Sequence, residues 1–334
     1  MELAVDRWLV PGRAAVALAA AIALAFVVVK SGAVSDFAVF WTAQHLAHPY
    51  DFVELSRAIG PKTTYFPYPP TFLLLTVPLG WLSLPAANFV WITVSATAIV
   101  ACGRRLWAPL ILASPAVFMA GMIGQTSLIM GALVFAATTL RRRPILSGVC
   151  LAIAACIKPQ IVVLIPIALA AAGQWRMLAS TAATGLLLCA LSALAYGPQL
   201  WLDWLLSLPG FLRFNDLKFT GRYIAVPGNW RVVVLVAGGC VAWLAGRAGE
   251  VERGVFVAVA TALLGSLHAM DYDAAILAPF VFTAARRDRW TALGCVAALA
   301  IPPSTWSVLA FLALKCAAAD ERPPTSGALA IVTE

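Results

Sequence analysis

Charged side chains are scarce in this 334-residue chain. Asp, Glu, Lys and Arg together make up 11% of it, where soluble globular proteins carry about 25%. That scarcity excludes a large soluble domain. Strict apolar–polar alternation is also missing, which excludes a membrane β-barrel. The seven cysteines, at positions 102, 150, 156, 189, 240, 295 and 316, have no paired spacing. They lie in or beside apolar runs and read as small core residues, not as disulfides or metal ligands. Internal repeats and low-complexity tracts are absent as well. What is present is 62% hydrophobic residues and a mean hydropathy of +0.90. That is the composition of a helical integral membrane protein. In such a protein the net charge of +8 reports topology before it reports a nucleic-acid partner.

Thirteen apolar segments can be marked: 14–33, 69–82, 86–102, 107–121, 125–140, 144–157, 160–172, 177–196, 229–246, 252–267, 272–285, 290–301 and 304–318. The first has the length of a signal peptide but no small-x-small cleavage end before Lys30, so it reads as an uncleaved first helix. Arg7 and Arg13 place the N-terminus in the cytoplasm, and Arg141-Arg142-Arg143, Arg176, Arg247 and Arg286-Arg287-Asp288-Arg289 mark further inside loops. Asp36, Lys158, the 197–228 loop and His268 then fall outside. Between Asp36 and Arg104-Arg105 the count needs an odd number of crossings, yet two segments are found. The 69–82 segment therefore reads as a half-helix or re-entrant piece, which membranes tolerate only against protein or a wet cavity. The expected fold is all-α: one polytopic bundle over 1–318 with about 12 crossings and short outer juxtamembrane helices, then a flexible cytoplasmic tail over 319–334. WLDWLLSLPGFLRF (201–214) reads as an amphipathic helix lying along the interface.

Four polar patches interrupt this apolar chain. In VSDFAVFWTAQHLAHPYD (34–51), Ser35 reads as an N-cap and Asp36 as the first residue of a short helix, where the helix terminus favours an ionised carboxylate. Spacing alone favours mere capping. In the second patch, Pro69 and Pro70 suit a first helical turn and push Tyr68 into an extended conformation. The third is Lys158-Pro159-Gln160. A lysine, an amide and freed backbone groups at one helix break suit a phosphate; the plainer alternative is a lysine that snorkels to outer headgroups. The fourth, His268-Ala269-Met270-Asp271-Tyr272-Asp273, is either a polar turn or a ligand-type set. Gly124-Gln125 opens another helix on the same side. Outer aromatics, among them Trp41, Tyr50, Tyr65, Tyr68, Trp201, Trp204, Tyr223 and Trp230, read as an interfacial belt, with one or two available to stack on a sugar. Outer cations Lys158, Arg213, Lys218, Arg222 and Arg231 run against the positive-inside trend, and an anionic substrate such as a lipid phosphate would explain them.

These patches, in this order, resemble the polyprenol-phosphate-mannose-dependent mannosyltransferases of glycosyltransferase family 87, a branch of the GT-C superfamily. The matching features are Asp36 with Phe37, Trp41, Pro49 and Tyr50, then Tyr68-Pro69-Pro70 with Pro78-Leu79. Gly124-Gln125, Gly148 with Lys158-Pro159-Gln160, and His268 with Tyr272 complete them. The likeness covers about residues 34–280. The chain is short for such an enzyme, and Arg231 stands where an Asn-x-Ser element would be completed.

The resemblance implies a multi-pass inner-membrane enzyme with its site on the outer face. It would pass a hexose, usually mannose, from a polyprenyl-phosphate donor to a lipid or glycan hydroxyl, with inversion and with no metal or other cofactor. Asp36 would be the general base. Lys158, Gln160, His268, Tyr272, Gln125, Tyr68 and Arg231 would bind the donor phosphate and sugar, and Asp271 and Asp273 would be helpers. Two rivals stand beside it: a transporter or flippase of lipid-linked sugars, which should show repeats with paired broken helices, and a non-catalytic partner in an envelope-glycan complex.

Overall fold

Proline positions set where many of the helices begin. The computed structural model describes residues 36–60, 64–102, 111–112, 114–218 and 224–284, with isolated positions at 22 and between 293 and 312. All of the first apolar run but position 22, Ser35, the basic groups at Arg7, Arg13, Arg104-Arg105 and 286–289, most of the last two apolar segments and the tail lie outside the described residues. Every regular element described is helical, and no strand forms among the described residues. The order is α1 (Phe37–Ala43), α2 (Phe52–Ile59), α3 (Pro70–Gly80), α4 (Leu84–Ala101), α5 (Pro115–Met122), α6 (Ser127–Thr139) and α7 (Pro144–Ile157). It continues with α8 (Pro159–Val162), α9 (Ile165–Ala171), α10 (Trp175–Tyr196), α11 (Gln199–Lys218), α12 (Trp230–Arg247) and α13 (Val251–Gly265). A 3-10 turn (Asp271–Leu277) and α14 (Ala278–Ala284) follow. Helices α3, α4, α5, α7, α8 and α9 carry a proline in the first turn, where the missing N–H is not needed.

Three described helices are long and apolar enough to cross a membrane: α4, α10 and α12. Their outward faces are apolar, as at Leu194 on α10 and Leu244 on α12, which suits lipid and not water. Other apolar helices are shorter. Pro159 and Pro166 divide the 144–172 run into α7, α8 and α9, so one apolar stretch becomes three pieces. The 69–82 segment is likewise the 11-residue α3. At 1.5 Å per residue it is about 16 Å long, roughly half a hydrocarbon core.

Helix α13 is the centre of the packing. Every residue from Gly254 to Gly265 is buried, as expected of a helix apolar on all sides. It crosses α12 at Gly238, where an added Cβ would lie 2.3 Å from the Thr261 hydroxyl. Only glycine allows backbones so close. The 3-10 turn that follows α13 packs against α5 and α6, and this brings the polar residues 268–273 to the loops that begin α1, α3 and α6.

Candidate functional site

Two aspartates each precede a short helix near the start of the described chain, and they behave differently. Asp51 has the extended backbone of an N-cap, and its carboxylate accepts from the Val53 and Glu54 N–H groups. Asp36 immediately precedes α1. Its backbone is already right-handed helical (φ −60°, ψ −19°), and its side chain bonds no first-turn N–H. A capping side chain normally swings over the helix end from an extended backbone, and Asp36 makes no such bond. Asp36 lines a cavity of about 610 Å³, and its Oδ2 accepts from Gln125 Nε2 at 2.5 Å.

Gln125 is delivered there by the end of α5. Gly124 takes the left-handed conformation (φ +68°) and an added Cβ would meet Phe37 Cβ at 2.7 Å. The N–H groups of Gly124 and Gln125 return to the carbonyls of Gly121 and Ala120, a Schellman ending. The turn docks on α1 through Phe37 N–H to the Ile123 carbonyl at 3.4 Å. Trp91 Nε1 holds the Gly124 carbonyl at 2.8 Å.

Lys158 lies at the break between α7 and α8. It is only 7% exposed and lines the same cavity. Its Nζ pairs with Asp273 Oδ1 at 2.6 Å and sits 5.5 Å from the centre of the Tyr272 ring. Asp273 is 1% exposed and also accepts from Ser127 Oγ at 2.6 Å and from the Met270 N–H at 3.1 Å. An ammonium has three donors, so the pair fixes Lys158 at the cavity wall while its other donors remain available. Neither this pairing nor the part of Ser127 was read from the sequence. A lone serine opening an apolar helix was the available sign.

His268, Gln160, Tyr68 and Tyr272 line the same cavity. The His268 ring meets Phe211 edge-on at 4.6 Å. Burial pushes its imidazole down to about 4, Lys158 pushes the same way and Asp273 opposes. In the unfolded chain it takes a proton near pH 6.5. The folded chain therefore binds fewer protons between those values, and stability falls as pH drops from about 6.5 to about 4. The melting temperature in detergent is expected to fall across that window, and His268→Gln to flatten the fall.

Helix α11 contributes Trp204, Leu208, Phe211 and Asn215 to the cavity. The sequence reading expected this stretch to be an amphipathic interfacial helix, and one face of it walls the site. Trp204 Nε1 ties it to the Pro67 carbonyl at 2.9 Å. Of the outer cations, Arg213 is exposed on α11. Arg231 is absent from the cavity lining: its Nε turns back to the Val226 carbonyl at 3.0 Å, in the loop before α12. Asp271 accepts from the Tyr272 N–H at 2.9 Å and is also not a lining residue. Tyr50 belongs to no surface belt, being buried with its hydroxyl on the Tyr68 carbonyl. Tyr223 and Arg222 lie outside the described residues.

The model of glycosyltransferase family 87 matches residues 66–270, well over half of the chain. The chain belongs to glycosyltransferase family 87. It is a membrane glycosyltransferase, and the transporter reading gives way to an enzyme. The family 87 match takes in Tyr68, Gln125, Lys158 and His268; Asp36 lies before it and Tyr272 after it. No curated protein and no solved structure matches this family 87 chain.

Proposed function

We propose that this enzyme transfers a hexose, mannose by preference, from a polyprenyl-phosphate donor to a lipid or glycan hydroxyl on the outer face of the inner membrane. The observation that carries the reading is one cavity lined by both Asp36 and Lys158. The acceptor oxygen forms a bond to the anomeric carbon as the bond from that carbon to the phosphate oxygen breaks. Asp36 takes the hydroxyl proton. The polyprenyl phosphate leaves with the electron pair and carries the charge. A phosphate is a weak base, so it needs charge stabilisation more than a proton, and Lys158 supplies it with His268 and Gln160 beside it. Sugar stacking falls to the cavity aromatics Tyr68 and Tyr272. No step requires a metal. Arg231 and Asp271 have no part in this reading. The wider fold is a single GT-C-type domain over residues 1–318 with about 12 crossings.

A single displacement at the anomeric carbon inverts it. The test is the anomeric configuration of the transferred sugar, read by NMR on the product of a donor of known configuration. Inversion is expected, and retention would overturn a mechanism with Asp36 as base, because it requires a second displacement.

A further inference from the structure

Three motifs far apart in sequence meet in one hydrogen-bond chain. Tyr50 Oη, after Pro49, donates to the Tyr68 carbonyl at 2.8 Å. Tyr68 Oη, before Pro69-Pro70, donates to Gln125 Oε1 at 3.0 Å. The Thr126 N–H approaches the same oxygen at 3.3 Å. With its oxygen so engaged, the amide must turn its NH2 to Asp36, and Nε2 donates to Oδ2. Little in this chain can move. The Tyr68 ring stacks on Phe72 at 4.5 Å and meets Phe40 edge-on at 4.8 Å. Tyr50, Tyr68 and Gln125 are all buried.

We infer that Gln125, oriented by Tyr68 and in turn by Tyr50, is a positioning residue that holds the Asp36 carboxylate in place as a base. The inference rests on the reading of Asp36 as the base. Its physical logic lies in the choice of donor. A cation beside Asp36 would hold it ionised and weaken it as a base. A neutral amide fixes the carboxylate's position without adding a charge. The cavity's lysine is balanced by a carboxylate of its own, Asp273. Two carboxylates thus receive different partners, an amide for the one that takes a proton and an ammonium for the one that does not. The other titratable groups around the cavity are Tyr65, Tyr68, Tyr272, His268 and the Lys158–Asp273 pair. These are common to every variant below except Tyr68→Phe.

The experiment is the pH profile of kcat, with KM for polyprenyl-phosphate-mannose, on purified protein and its Gln125→Glu, Gln125→Leu, Tyr68→Phe and Asp36→Asn variants. Folding of each is checked by its melting curve. Gln125→Glu places a second carboxylate at hydrogen-bond distance from Asp36, and such a pair gives up its last proton at higher pH. The acid limb of kcat is expected to move up by about one pH unit or more. Gln125→Leu removes the donor and is expected to lower kcat by about 10²-fold with KM little changed. Tyr68→Phe keeps the ring and is expected to lose less. If Gln125→Glu does not fold, the Leu and Phe variants decide. A raised KM with unchanged kcat and acid limb would overturn the inference, because that is how a substrate contact behaves. So would no change in either. If Asp36→Asn is inactive while the Gln125 variants behave in one of those ways, only the positioning role falls. If Asp36→Asn transfers sugar normally, the base assignment falls and takes the positioning role with it.

Discussion

Asp36→Asn is expected to lower kcat for sugar transfer by about 10³-fold, within the range that a positioned general base supplies. The fold is expected to stay intact, because Asp36 makes no cap bond to α1 that the change would remove. The asparagine carbonyl can still accept from Gln125. A control comes from Asp51, which does cap its helix. Asp51→Ala is expected to cost about 1 kcal/mol of stability and to keep transfer. Melting curves and transfer rates on the two variants separate the roles: one loses rate without stability, the other stability without rate. Equal loss of stability in both would return Asp36 to a structural part.

Lys158→Met is expected to fail on both counts. Loss of a charge that stabilises the leaving phosphate lowers kcat by about 10²–10³-fold. It also strands Asp273 inside the protein, and an uncompensated buried carboxylate costs about 3–5 kcal/mol. The double variant Lys158→Met/Asp273→Asn is expected to regain most of that stability, because replacing both partners of a buried pair is far cheaper than removing one. It is not expected to regain activity. Stability is read by melting in detergent and activity by labelled sugar transferred. A double variant with restored transfer would make the pair structural only.

Much of this was legible in the sequence. Apolar runs without alternation gave the helices, and Pro70 marked the start of the short helix α3. A charge or amide in an apolar chain is costly enough to need a reason. That logic singled out Lys158 and the His268 patch, while Asp36 and Gln125 gained their roles only from the family resemblance; the structure gathers all four around one cavity. Pairwise partners were not legible. Asp271 and Asp273 look alike in sequence, and only the 3-10 turn separates them: Asp273 reaches Lys158 and the Met270 N–H, and Asp271 bonds the Tyr272 N–H next to it. Asp36 and Asp51 also look alike, and backbone angles that no local pattern fixes decide which one caps. The place of Arg231 was not legible either, because charge sign and sidedness do not say where a long side chain turns; here its Nε meets the Val226 carbonyl. The cavity wall on α11 was hidden since an apolar helix face looks the same whether it meets lipid or a binding site.

The central claim is that this cavity moves a sugar from a lipid phosphate without a metal. Its most direct test supplies the purified protein with labelled mannose on polyprenyl phosphate or on a nucleotide, together with a lipid–glycan acceptor pool from the same membranes. Each donor is assayed with and without EDTA. Labelled product from the polyprenyl-phosphate donor, undiminished by EDTA, is the result expected. Product from the nucleotide sugar alone, or transfer that EDTA abolishes, would contradict the account.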